Sequence, residues 1–247
     1  DFEDLLPFVE KSLQLDEVNS LKINPKSFKS DIDEKLIGDY HILKGSVLEK
    51  IYLKARNYAK SNDSILILGE TGTGKEHLAK FIHNCSNRKE KNFISVDLNA
   101  GNDNLIDSTL FGHTKGSFSG STENRAGLVK TAEGGTLFFD EIGNLDIRTQ
   151  SKLLRLIENR EYSSVGSDQK LKADIRIIAA TNKTVAELRD SPEFKNDLFY
   201  RLDRHRIKIP PLRERTIQEK LGLAKYLINK VSGETTGNKR LSAGAQK

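Results

Sequence analysis

Short apolar runs alternate with amphipathic segments along most of the chain. The apolar runs predict buried strands at 65–68, 93–96, 137–139, 175–180 and 206–209. Apolar residues at helical spacing predict helices at 46–60, 76–85, 102–110, 147–158, 185–189, 193–203 and 217–231. Strands that alternate with helices predict an α/β fold, in which a parallel sheet is covered by helices on both faces.

A glycine-rich turn joins the first of these strands to the helix that follows it. The turn reads Gly69-Glu70-Thr71-Gly72-Thr73-Gly74-Lys75-Glu76. Glycines let the backbone turn its N–H groups around phosphate oxygens, and the helix N-terminus and Lys75 add positive charge. A strand, Gly-x-x-x-x-Gly-Lys and a helix together predict the phosphate-binding loop of a nucleotide site. Glu76 departs from the general motif, in which Ser or Thr offers a hydroxyl to magnesium.

An acidic pair, Asp140 and Glu141, ends the apolar strand at 137–139. Because the carboxyl ends of parallel strands face the ligand crevice, we expect Asp140 to bind Mg²⁺ and Glu141 to act as general base on the attacking water. The next strand ends in Thr181 and Asn182, which we expect to hydrogen-bond water or the γ-phosphate. The alternative for the acidic pair is an N-cap of the following helix.

The composition is that of a soluble globular chain, with 30% charged and 36% hydrophobic residues among its 247. It contains no apolar run of about 18 residues, so we expect no membrane span. Its single cysteine, Cys85, cannot form an internal disulfide, which favours a reducing cytoplasm. Because the chain contains no Met, even at its start, we expect a fragment of a longer protein. Residues 1–33 are predicted to be a linker or the tail of a preceding domain.

Positive charge is concentrated at the C-terminal end of the chain. The net charge is +5, and residues 195–247 contain 13 Lys and Arg against 5 Asp and Glu. One hypothesis is direct contact with nucleic acid. The better one assigns these cations to a phosphate site and to solvated helix faces, because no aromatic residues are interleaved as a single-strand groove requires.

The phosphate loop and four further segments resemble the AAA+ ATPase domain of the sigma-54-dependent transcription activators, the bacterial enhancer-binding proteins. The further segments are 110–113, 134–142, 179–182 and 210–215. The resemblance, from about residue 35 to the end, implies a three-layer P-loop NTPase that forms a ring, usually a hexamer, with ATP at subunit interfaces. It implies that this ring remodels the sigma-54 RNA polymerase holoenzyme so that promoter DNA melts. It also implies that Leu36, Ile37 and Gly38 line the adenine side of the nucleotide site. In this family, Glu is the usual residue at the position of Glu76.

The segment Gly116-Ser117-Phe118-Ser119-Gly120-Ser121 resembles the family's remodelling loop, whose pattern is Gly-Ala-Phe-Thr-Gly-Ala. The glycines and Phe118 are retained, Ser119 keeps a hydroxyl, and both alanines are replaced by serine. The resemblance implies that this loop binds the sigma factor. An apolar tip between glycine hinges suits such a contact, and the alternative is a flexible surface loop without a partner.

Two further positions depart from the family pattern. The family has Asn where this chain has Asp97, and that Asn restrains the catalytic Glu. Asp97 beside Glu141 is expected to repel Glu141 and to raise the pKa of one of the two carboxyl groups. The family also supplies two Arg fingers to the neighbour's γ-phosphate. Arg201 is retained, whereas Lys195 replaces the first Arg and lacks the planar fork.

These residues predict a nucleotide-binding subdomain at 34–212 and the beginning of a helical lid at 213–247. The leading hypothesis is an ATP-hydrolysing remodeller of sigma-54 RNA polymerase, which contacts DNA only through a domain absent from this chain. The alternative is a nucleotide-switched AAA+ regulator that hydrolyses ATP slowly or not at all, motivated by Asp97, Lys195 and the altered loop. A direct DNA-binding protein is the third hypothesis, and it rests on basic charge alone.

Overall fold

The computed structural model describes residues 34–37, 40–43, 45–98, 103–118, 121–220 and 223. The predicted adenine-side residue Gly38 and the loop residues Ser119 and Gly120 lie outside this range. The chain divides into two compact units. One comprises Asp1–Lys50 with Pro210–Lys247, and the other comprises Ile51–Ile209.

The first unit contains an antiparallel pair of strands, β1 (Glu34–Ile37) and β2 (Tyr40–Leu43). Leu36 and Ile37 belong to β1. Residues 217–220 are helical, and a capping box opens them, because Thr216 N donates to Glu219 Oε2 at 2.9 Å and Glu219 N donates to Thr216 Oγ1 at 3.3 Å. The helix predicted at 217–231 therefore begins where expected.

The remaining elements follow in chain order, and the helix α1 crosses the boundary between the units. The helices are α1 (Val47–Tyr58), α2 (Lys75–Asn84), α3 (Asp103–Phe111), α4 (Leu128–Thr131), α5 (Ile147–Asn159), α6 (Val185–Asp190) and α7 (Asn196–Leu202). The strands are β3 (Ile65–Leu68), β4 (Phe93–Asp97), β5 (Gly112–His113), β6 (Arg125–Ala126), β7 (Thr136–Asp140), β8 (Glu161–Tyr162), β9 (Leu171–Lys172), β10 (Arg176–Thr181) and β11 (His205–Lys208).

Five strands form the central sheet of the second unit, in the order β11-β3-β10-β7-β4. Every neighbouring pair is parallel, which confirms the predicted α/β class. The register pairs Leu68 with Thr181 and Asp140 with Asp97. The carboxyl ends of β3, β10, β7 and β4 therefore lie along one edge, where the phosphate loop begins.

The sheet is buried on both faces because its strands are apolar at successive positions. Leu66 and Leu68 belong to one apolar cluster with side chains of α3, α5 and α7. Ile65 and Ile67, which alternate with them, are also fully buried, and by strand alternation they face the other side. On α2, Leu78, Ala79, Phe81 and Ile82 are buried in turn. This is the packing that the apolar runs predict for a parallel sheet.

The charge at the start of β10 is buried, which was not predicted. Arg176, at the start of β10, is fully buried and donates to the carbonyls of Tyr58 at 2.8 Å and Ala59 at 2.9 Å. These carbonyls end α1, where an Arg satisfies backbone acceptors that the helix itself leaves open. Burial lowers the pKa of Arg176 to about 10, which still leaves it cationic near neutral pH.

Three differences from the predicted elements bear on the site. The helix predicted from 193 begins at Asn196, because Phe194 N donates to Ser191 O and closes a turn first. Residues 112–113, for which no element was predicted, form β5, which pairs with β6. The structure also contains α4 and the β8–β9 pair, which are too short for a periodic pattern to reveal.

Candidate functional site

The phosphate loop crosses from β3 to α2 with two glycines in the left-handed region. Gly72 has φ +80° and Gly74 has φ +94°, a backbone conformation that residues with a Cβ rarely adopt. Gly69 is needed for a different reason, since a Cβ there would lie 2.7 Å from Thr73 Oγ1. The Thr73 hydroxyl instead donates to Glu70 O at 2.7 Å. The first N–H groups of α2 have no acceptor within the helix and point toward the loop.

Lys75 reaches from this loop to the end of β7. Its Nζ lies 2.8 Å from Glu141 Oε1 and 3.1 Å from Gly69 O. Both side chains of the ion pair are buried, at 6% and 7% exposure. The predicted phosphate-binding cation and the predicted general base are therefore in direct contact.

The backbone holds Glu141 in an unusual conformation. Its φ of 58° and ψ of 50° place it in the left-handed region, which is rare for a residue with a side chain and is typical of functional sites. Its second carboxylate oxygen, Oε2, accepts from Asn182 N at 2.8 Å. The carboxylate is thus oriented from two sides, by Lys75 and by the end of β10.

Asp140 ends β7 and carries an orphaned acceptor. Its Oδ1 is buried and has no hydrogen-bond partner among the described residues. Burial raises the pKa of Asp140; Lys75 opposes this rise, and the charges of Glu141 and Asp97 add to it. A buried carboxylate oxygen with an open coordination position suits Mg²⁺, which proteins commonly bind through one or two carboxylates together with substrate phosphates. The described residues contain no cluster of three or more metal-ligating side chains, and such a site does not require one.

Asp97 lies at the end of β4, in register with Asp140 on β7. The predicted repulsion between carboxylates therefore falls on Asp140: burial is the main cause of its raised pKa, and the charge of Asp97 adds to it.

A cavity of about 260 Å³ opens at this edge of the sheet. It is lined by the loop and by the two strand ends, through Thr71, Gly72, Gly74, Lys75, Glu76, Asp140, Glu141 and Asn182. Thr181 does not line it, because its side chain is fully buried and its hydroxyl accepts from Lys183 N at 3.1 Å. The structure therefore brings Asn182 to the cavity and leaves Thr181 beneath it. Glu76 lies at the rim and pairs with Lys80 at 2.9 Å.

The loop that begins after β5 exposes its apolar tip. Phe118 is 40% exposed, and its ring meets that of His113 edge to face at 5.0 Å. Ser121 is buried and braces the turn, since its hydroxyl donates to Phe118 O at 2.8 Å and its backbone O accepts from Gly116 N. The loop base is tied to a second segment, where Thr114 N donates to Val165 O at 3.0 Å. Ser117 packs against the same segment, because a Cβ on Gly166 would lie 2.5 Å from Ser117 Cβ.

The two predicted finger residues lie at opposite ends of α7. Lys195 is the N-cap, so it precedes the helix instead of lying within it as the predicted helix at 193–203 implied. Its N–H donates to Gln150 Oε1 at 2.8 Å. Arg201, in the last turn, donates through Nε to Glu158 Oε1 at 2.8 Å. Neither residue lines the cavity of its own subunit. Gln150 and Glu158 were not predicted, because their spacing from α7 is set by packing and not by a local motif.

Comparison with known proteins finds similar sequences and structures. The family described as "Sigma-54 interaction domain" matches residues 42–208. The chain is 41% identical over 191 residues to the transcriptional regulatory protein FlbD of Caulobacter vibrioides, which covers 77% of this chain and 42% of FlbD. It is 42% identical over 186 residues to the Nif-specific regulatory protein of Azotobacter vinelandii, which covers 74% of this chain and 35% of that protein.

Among solved structures, the fold resembles NtrX from Brucella abortus in complex with ATP, with a TM-score of 0.70 and 24% identity. That match covers 95% of this chain and 48% of NtrX. The chain spans about half or less of the length of the curated relatives it matches, at 42% for FlbD and 35% for the Nif-specific regulatory protein. Within the described ranges, none of the helices combines the length and apolar character of a membrane span.

Proposed function

Because this chain belongs to the sigma-54 interaction domain family, we propose that it binds and hydrolyses ATP and uses the cycle to remodel the sigma-54 RNA polymerase holoenzyme. The observation that carries the proposal is the buried contact between Lys75 and Glu141 beside Asp140, at the mouth of one cavity. Phosphoryl transfer to water requires three kinds of group: a cation that binds the phosphates, a carboxylate that binds the metal and a carboxylate that activates the water.

The nucleotide competes with Glu141 for Lys75 in this proposal. The β- and γ-phosphates carry more negative charge than one carboxylate, so Lys75 turns to them and releases Glu141 Oε1. Glu141, still held through Oε2 by Asn182 N, then accepts the proton of the attacking water. Asp140 would hold Mg²⁺, and the metal would neutralise charge on the phosphates of bound ATP.

The proposed ring, with six subunits as its usual number, places Arg201 and Lys195 on the γ-phosphate of the adjacent subunit. The absence of both residues from their own cavity is consistent with a role in a neighbour's site. In this proposal Leu36, Ile37 and Gly38 line the adenine, residues 34–212 form the nucleotide-binding subdomain, and 213–247 begin the lid. The protein works in the cytoplasm, and DNA is contacted by a part of the protein outside this sequence.

A second function, a nucleotide-switched regulator with little or no hydrolysis, is favoured by one observation. Asp97 adds a third carboxylate to Asp140 and Glu141 at the end of the sheet; burial raises the pKa of Asp140, and the charges of Glu141 and Asp97 add to this rise. A carboxyl group binds a cation in its ionised form, so the crowding of three carboxylates opposes the ionisation on which metal binding at Asp140 would depend.

The experiment that separates the two is ATP turnover measured with and without sigma-54 holoenzyme, together with open-complex formation on a sigma-54 promoter. The proposed remodeller is expected to hydrolyse ATP and to open the promoter only when ATP is supplied. ATP binding without turnover and without open complexes would support the switch instead.

A further inference from the structure

Arg201 on α7 is held by a glutamate of the adjacent helix α5. Its Nε donates to Glu158 Oε1 at 2.8 Å, and the two side chains are 43% and 34% exposed. Among the described residues, the two terminal nitrogens of Arg201 have no hydrogen-bond partner. One part of the guanidinium is therefore engaged, and its terminal edge remains available to another acceptor.

This division suits the geometry of a guanidinium. The group is planar and presents several N–H donors in a fixed fork. Engagement of Nε by a carboxylate fixes the plane, while the two terminal nitrogens can donate in parallel to two oxygens of one phosphate. Without Glu158, a partly exposed Arg side chain samples many rotamers, and most of them aim the fork elsewhere.

The backbone of α7 is anchored separately from the Arg201 side chain. The fully buried amide of Gln150 accepts from Lys195 N at 2.8 Å and donates to Leu145 O at 2.6 Å and Glu193 O at 2.7 Å. Leu198 and Leu202 of α7 are buried in the core as well. Loss of the Glu158 carboxylate therefore releases the Arg201 guanidinium and leaves the helix in place.

We propose that Glu158 is a positioning residue that preorganises Arg201 for the phosphate of a nucleotide bound by a second copy of this chain. The inference rests on the proposed action of Arg201 on a neighbouring subunit. Glu158 does not touch the nucleotide; it acts only through Arg201. If the Glu158–Arg201 pair were only a surface ion pair, it would contribute little to stability, and its removal would leave turnover unchanged.

The test uses Glu158→Ala and Glu158→Gln in the full-length protein, with Glu90→Ala as the matched control. The Glu90 carboxylate is 86% exposed and lies 4.0 Å from its Lys89 partner. Glu158→Ala is expected to lower kcat about 10- to 100-fold with little change in the KM for ATP, because only the geometry of the phosphate contact is lost. Glu158→Gln keeps an oxygen that accepts from Nε and is expected to recover most of the turnover.

A mixing experiment shows whether the effect crosses between subunits. Glu158→Ala subunits keep an ATP site but present a poorly aimed Arg201, whereas Lys75→Ala subunits lose the ATP site but present an intact Arg201. The mixture is expected to turn over ATP faster than the sum of the two separate preparations, because each supplies what its neighbour lacks.

The outcomes distinguish the inference from the function on which it rests. If wild-type turnover per subunit does not rise with protein concentration, the shared site itself is contradicted. If it rises while Glu158→Ala behaves like wild type, the positioning role is overturned and the proposed function stands. Equal loss in the Ala and Gln variants without complementation also overturns the positioning role.

Discussion

Lys75 Nζ and Glu141 Oε1 lie 2.8 Å apart in a buried ion pair that joins the phosphate loop to the end of β7. In this pair the two buried charges compensate each other. The cation and the general base of the proposed reaction are therefore coupled, because Glu141 Oε1 is released only when Lys75 binds another acceptor.

Replacement of Lys75 and replacement of Glu141 are expected to affect different steps, ATP binding in the first case and hydrolysis in the second. Lys75→Ala should weaken ATP binding about 30-fold or more, because a charged contact to phosphate is lost and Glu141 remains unpaired. Glu141→Gln should retain ATP binding, since Lys75 is no longer held by a carboxylate, and should lose turnover. Calorimetric titration with ATP and steady-state hydrolysis measure the two effects. Lys80→Ala, one turn along α2, is the control, and unimpaired ATP binding by Lys75→Ala would contradict the assignment of the loop.

Phe118 is expected to matter for the partner and not for hydrolysis. Its exposed ring lies outside the cavity, so Phe118→Ala should change ATPase activity by less than about twofold and abolish open-complex formation. Retention of sigma-54 in the presence of ADP and aluminium fluoride is the direct measurement. Ile147→Ala is the matched control, because Ile147 is 43% exposed against 40% for Phe118 and lies on another element. Equal retention by wild type and Phe118→Ala would favour the nucleotide-switched alternative.

The two predicted finger residues should differ in effect. Arg201 has a planar fork, and its replacement by Ala is expected to cost about 10³- to 10⁵-fold in turnover, as for other arginine fingers. Lys195→Ala should lose less, and Lys195→Arg should raise turnover, because it restores a fork at this position. The measurement is ATPase activity as a function of protein concentration, with Arg189→Ala on α6 as the control for loss of an exposed Arg. No change in Lys195→Arg would argue that Lys195 is a helix cap alone.

His83 should make the fold sensitive to acid. It is buried, its Nδ1 lies 2.9 Å from Thr136 Oγ1, and burial lowers its pKa below the ordinary value. The unfolded chain therefore binds the proton more readily than the folded chain. The contribution to the free energy of unfolding is fully present above about pH 6.5 and is lost as the pH falls toward the lowered pKa.

The measurement is urea unfolding of wild type and His83→Gln at about pH 7.5 and about pH 5.5. Wild type is expected to lose more stability between the two pH values than His83→Gln, in which the buried ring no longer titrates. His77→Gln, on the exposed face of the same helix, is the control and should keep the wild-type pH dependence. Identical pH dependence of all three proteins would show that His83 does not carry this effect.

The phosphate loop, the acidic strand end and the parallel sheet could be predicted from the residues alone. These features are local: glycines at set positions make the turn, apolar runs make buried strands, and a strand end places Asp140 and Glu141 at the ligand edge. The observed β3 has the predicted bounds, and β7 and β10 differ from the predicted strands by one residue at each end. The resemblance to the sigma-54 activators, confirmed by the family match over residues 42–208, rests on the same local segments.

Which distant side chains meet could not be predicted before the chain was seen folded. Glu158 and Arg201 are separated by 43 positions, and their contact depends on how α5 packs against α7. The partner of Asp97 depends on the register of β4 with β7, which a strand pattern leaves open because neighbouring strands are chosen by the whole sheet. Arg176 reads in sequence as one more charge beside an apolar run, yet packing buries it against the carbonyls of α1. Local patterns specify backbone conformation, whereas side-chain partners follow from the packing of elements that the chain brings together only on folding.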